Sequence, residues 1–146
     1  MEEQKNFRYI EWKSPEEMHY SAQQWSSILA FIKDEHLFFE DMLREYTLPI
    51  IESNLVSEVN SLIDRLKKSN EEMESLTRKV TQHQNGLDIL VDGKDQPEEE
   101  KKYKEEHRQI MREMNSFSDT YKELKKDIFE KISGALKNQK QKRLLK

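Results

Sequence analysis

From Leu55 to Leu90 the chain keeps one face at unbroken steps of four and three: Leu55, Val59, Leu62, Leu66, Ser69, Met73, Leu76, Val80, His83, Leu87 and Leu90. Five heptads in a single register predict a long helix lying against partner helices, because only a helix returns the same face every three to four residues. A strand would need apolar residues at every second position, which this stretch lacks.

A second seam follows the turn signal Asp92-Gly93-Lys94-Asp95-Gln96. Gly93 suits a left-handed cap, Pro97 suits a first helical position, and Glu98, Glu99 and Glu100 complement the positive end of the next helix. That seam runs Tyr103, His107, Ile110, Met114, Phe117, Tyr121, Leu124 and Ile128, then loosens around Gly134. Folding the two seams about Gly93 pairs His83 with His107, Val80 with Ile110, Met73 with Phe117 and Ser69 with Tyr121 at one common offset. Gly86, inside the first of these seams, weakens a helix by about 1 kcal/mol relative to Ala, enough to allow fraying after Asn85, although Leu87 and Leu90 keep the register.

Upstream, Ser14-Pro15-Glu16-Glu17 forms a capping box with proline in the first turn. The helix it opens has the seam Met18, Ala22, Trp25, Leu29, Ile32, His36, Phe39, Leu43 and Tyr46, widened by Ile28, Phe31, Phe38 and Met42 to touch two neighbours. Proline disfavours helical geometry in the residue before it, so Pro49 is expected to end this helix near Thr47. Folding about Pro49 then sets Phe39 beside Val59, Ile32 beside Leu66, Trp25 beside Met73 and Met18 beside Val80.

The expected architecture is all-α: an elongated antiparallel bundle of three long helices with coiled-coil-like seams and a short N-terminal aromatic lead-in. It is one domain over 1–146, divided into a lead-in (1–13), helices over 15–47, 49–91 and 97–136, and a basic tail (137–146). Composition agrees, since 37% of residues are charged against 34% hydrophobic, with three Gly and three Pro, a balance suited to narrow helical seams. With no Cys, disulfides, thiolate zinc sites and cysteine nucleophiles are excluded, in keeping with a reducing compartment. No apolar run approaches the roughly 18 residues of a membrane span, so the expectation is a cytoplasmic protein with no membrane partner.

The remaining features bear on function. Two seam histidines from facing helices, His83 and His107, could share a proton or a divalent cation, and the Pro49 fold places His19 of Glu16-x-x-His19 near them. Glu16, His19, His83 and His107 are therefore the metal candidates. A helical dimetal site needs two Glu-x-x-His pairs and further carboxylates, and only one such pair is present, so register-fixing histidines are the favoured reading. No cofactor is implied. The absence of a phosphate loop, a nucleophile elbow and a carboxylate pair in a pocket argues against an enzyme.

Residues 137–146 carry five basic and no acidic side chains, a possible contact for nucleic acid or the ribosome, although cations also gather at a helix C-terminus to complement its dipole. A nucleic-acid partner is accordingly disfavoured. The lead-in Asn6–Trp12 contributes Phe7, Tyr9, Ile10 and Trp12, large anchors of the kind that interface centres use. The leading expectation is thus a non-enzymatic interaction or scaffold protein that binds a protein partner or a second copy of itself. The alternatives are a metal- or small-ligand-binding bundle and a ribosome- or nucleic-acid-associated factor.

Overall fold

The structure, a computed structural model, describes residues 14–93 and 96–145. The lead-in candidates Phe7, Tyr9, Ile10 and Trp12 lie outside the described residues. Among those described, the chain is an all-α bundle of four helices with no strand: α1 (Pro15–Glu45), α2 (Thr47–Glu52), α3 (Val56–Asp92) and α4 (Pro97–Leu145). None of them is long and apolar enough to cross a membrane.

The predicted start signals form as expected. The Glu17 N–H donates to Ser14 Oγ at 3.2 Å while the Ser14 N–H donates back to Glu17 Oε1 at 3.3 Å, so two otherwise orphaned donors are satisfied. Pro97 opens α4, and the Glu100 N–H reaches the Gln96 carbonyl at 2.9 Å.

The first boundary differs from the sequence expectation. Pro49 does not turn the chain; it sits in the first turn of α2, where a missing N–H goes unmissed. Its ring disrupts the helix one turn earlier, at Tyr46, whose φ of −97° and ψ of 23° separate α1 from α2. The turn itself comes at Asn54, with a left-handed φ of 58°. There the Leu55 N–H bonds the Ile50 carbonyl at 3.1 Å and the Asn54 N–H bonds the Ile51 carbonyl at 3.2 Å, the pattern of a Schellman cap. Ile50 is buried at this cap.

The other end of the chain also departs from expectation. Residues 137–145 are not a separate tail, because α4 continues to Leu145 without a break at the exposed Gly134. The extension is anchored where Lys142 Nζ donates to the Glu52 carbonyl at 2.6 Å, satisfying an acceptor at the end of α2. Nor does α3 fray after Asn85. A Cβ on Gly86 would stand 2.5 Å from Cε1 and Oη of Tyr103, so glycine here admits the tyrosine ring against the α3 backbone.

Contacts divide the chain into two compact units, the described part of Met1–Phe31 with Met73–Ser116, and Ile32–Glu72 with Phe117–Lys146. The first unit buries Met18, Ala22 and Leu29 of α1 against Met73, Val80 and Leu87 of α3 and Ile110 and Met114 of α4. In the second, Ile32, Phe39 and Leu43 pack with Leu62, Leu66, Leu124 and Ile128. Both cores follow the expected seams, except that Trp25, Tyr46, Leu55 and Tyr103 are only half-buried and that Ile28, Phe31 and Phe38, expected to widen the first seam, are exposed.

The offset between α3 and α4 is the one expected, whereas α1 is shifted against α3. In the first unit His19 lies 2.6 Å from Asp88 and Ser26 Oγ donates to Gln84 at 3.1 Å. In the second, His36 meets Ser69. Each contact centres the α1–α3 hairpin near residues 53–55 instead of 49, because the Schellman cap at Asn54 is where the chain reverses.

Candidate functional site

In the first unit α3 and α4 each place a fully buried histidine in the seam, and the two rings meet. His83 Nε2 and His107 Nδ1 are 2.9 Å apart, and His83 Nδ1 lies 2.7 Å from Glu106 Oε1. The donor inventory orders this line. A carboxylate oxygen only accepts, so His83 Nδ1 carries the hydrogen toward Glu106; neutral His83 must then accept at Nε2 from the N–H at Nδ1 of His107.

Burial holds His83 below the ordinary histidine range even though the hydrogen bond and charge of Glu106 pull the other way. The indole of Trp25 stacks on His107 with ring centroids 4.4 Å apart, and Tyr103 approaches His83 at 6.1 Å. Glu106 is the half-exposed end of the line. It borders a surface cleft of about 340 Å³ that also involves Lys79, Gln82, Lys102, Tyr103 and Glu113. A Glu–His–His line of this kind can pass one proton between the cleft and the core. It also fixes register, since sliding α4 by a turn would leave both imidazoles against apolar side chains.

The second unit contains its own polar layer. His36 Nε2 lies 2.8 Å from Ser69 Oγ, and the His36 ring is tilted against Tyr121 at 5.2 Å. The Tyr121 hydroxyl donates to Glu35 Oε1 at 3.1 Å and Lys125 Nζ donates to Glu35 Oε2 at 2.8 Å. Burial lowers the pKa of His36, opposed by the charge of Glu35 and by the backbone at Ile32. Burial and the neighbouring Glu35 carboxylate both push the Tyr121 phenol above its ordinary value. Ser69 and Tyr121 line a cleft of about 230 Å³ with Arg65, Glu72 and Phe117.

Of the metal candidates, the structure joins His83 and His107 but not the other two. His19 is paired with Asp88, more than a turn along α3 from His83, and Glu16 lies exposed at the opening of α1. Among the described residues no group of three or more His, Asp or Glu side chains is arranged to hold a metal ion. The cause is the shifted α1 offset, which brings Trp25 to His107 in place of a third ligand from α1. By the same shift His36 lies in the layer of Ser69 and Tyr121, whereas folding about Pro49 would set it level with Leu62. Ser69 consequently serves the imidazole and not the phenol.

Sequence reasoning overlooked Glu35, Glu106 and Trp25. A signal for the two carboxylates was present, because both seam histidines concerned are preceded by glutamate, in Glu35-His36 and Glu106-His107. A residue one position before the seam sits on the helix flank, within reach of the neighbouring helix. Comparison with known protein families, with curated proteins and with solved structures finds no match to this chain.

Proposed function

We propose that this chain is a non-enzymatic protein–protein interaction module whose helices present apolar flanks to a protein partner. The observation that carries the reading is on α1. Its core seam is filled, yet Ile28 and Phe31 in the first unit and Phe38 in the second stay exposed, at 48%, 63% and 55%. Large apolar side chains set at helical spacing beside a completed core are what an interface uses, and aromatic ones contribute most of its binding energy. The lead-in residues Phe7, Tyr9, Ile10 and Trp12 are further partner-binding candidates of the same large apolar kind.

The test is the molar mass of the purified chain by light scattering, with metal content measured on the same peak. Assembly that is lost when Phe31 and Phe38 are changed to Glu, without loss of helicity, supports the reading. A monomer that carries stoichiometric metal refutes it and favours the ligand-binding alternative. That second reading draws on the cleft beside Glu106, whose carboxylate couples a surface cavity to two buried imidazoles. The basic stretch at the end of α4 supports a nucleic-acid role less, because Lys142 is engaged with the Glu52 carbonyl.

A further inference from the structure

In the second unit α1 and α4 run parallel, side by side. Glu35 pairs with Lys125, and the rings of Phe39 and Phe129 meet edge-on with centroids 5.4 Å apart. Both contacts join residues ninety positions apart in the chain, so the two helices keep one level. Phe39 is buried, and an exposed ring stands on either side of it, Phe38 on α1 at 55% and Phe129 on α4 at 45% exposure.

The rims of these two phenyls carry opposite charge. Asp34, Asp41 and Glu45 surround Phe38 on its own flank of α1, one turn before it and one and two turns after. Lys122 and Lys126 precede Phe129 on α4 by two turns and one, while Lys125 between them is paired with Glu35. More broadly, Ile32–Glu45 holds five acidic and two basic residues, whereas Phe117–Leu145 holds eight basic and four acidic. Arg44, 3.6 Å from Asp41, offsets only one of the acids, and that pair is exposed.

We propose that a second copy of this chain docks on this face, forming a twofold dimer in which α1 of each protomer lies on α4 of its partner. The inference rests on the interaction reading above and names its partner. Two parallel ridges, one acidic and one basic, admit two twofold packings. An axis perpendicular to the helices lays α1 on α1 and acid on acid, which electrostatics opposes. An axis along the helices lays acid on base, with Phe38 of each protomer against Phe129 of the other, a self-complementary contact.

The test uses the full chain and two charge-reversed variants, D34K/D41K and K122E/K126E, followed by light scattering and sedimentation equilibrium with helicity checked by circular dichroism. Expected are a dimeric wild-type chain, a dissociation constant raised at least about tenfold in each variant alone, and recovery of the dimer when the two variants are mixed in equal amounts. A monomeric wild-type chain, or variants that dimerise as tightly as wild type, overturns the proposal. Reversed variants that still assemble while Ile28→Glu with Phe31→Glu abolishes assembly would overturn this docking face alone. A monomeric wild-type chain that carries stoichiometric metal on the same peak would overturn the interaction reading as well.

Discussion

At an ordinary exposed helix position, Gly→Ala stabilises by about 1 kcal/mol, because alanine surrenders less backbone freedom. At Gly86 the structure reverses the sign. An added Cβ would meet Cε1 and Oη of Tyr103 at 2.5 Å and Cζ at 2.7 Å, about 1 Å inside normal contact. The ring must swing away, and overpacking of this kind costs roughly 1–3 kcal/mol. Net of propensity, Gly86→Ala should destabilise by about 0–2 kcal/mol and loosen the cover over His83. In a Tyr103→Ala background the obstacle is gone, and the same change should stabilise by about 1 kcal/mol. Denaturant unfolding followed by circular dichroism, on the four chains of this double-mutant cycle, gives the coupling directly. Equal stabilisation by Gly86→Ala in both backgrounds would refute the argument that this glycine exists to seat Tyr103.

Three further outcomes follow from the polar layers and the turn. His36 and His83 both bind a proton less readily in the folded than in the unfolded chain, so stability should be full above the ordinary histidine value of 6.5 and fall as pH drops below it toward the lower folded values; denaturation midpoints unchanged between neutral and mildly acidic pH would contradict this. Ser69→Ala leaves the buried His36 Nε2 without its hydroxyl at 2.8 Å and should cost about 1–3 kcal/mol, measured by urea unfolding. Asn54, at φ 58°, should accept Gly with little change, whereas Asn54→Val should cost on the order of 1–2 kcal/mol in thermal or urea unfolding.

Local chemistry and periodicity made much of this molecule legible without coordinates: the capping box at Ser14, the start of α4 at Pro97, the three seams, and the meeting of His83 with His107. These depend on residues close in sequence, or on two long seams joined at one clear turn, where an offset allows little freedom. The offset of α1 depended instead on where the chain reverses. Proline was the stronger sequence signal, yet the structure absorbed Pro49 into a first helical turn and reversed at Asn54, whose left-handed geometry lets the Asn54 and Leu55 N–H groups cap the Ile51 and Ile50 carbonyls. That difference of a turn or more, carried along α1, decided that His19 would meet Asp88, that Trp25 would cover His107 and that His36 would find Ser69. Periodicity determines which face of a helix is buried; how far that helix slides along its neighbour is settled by the cap that ends it and by the fit of the side chains that then face each other.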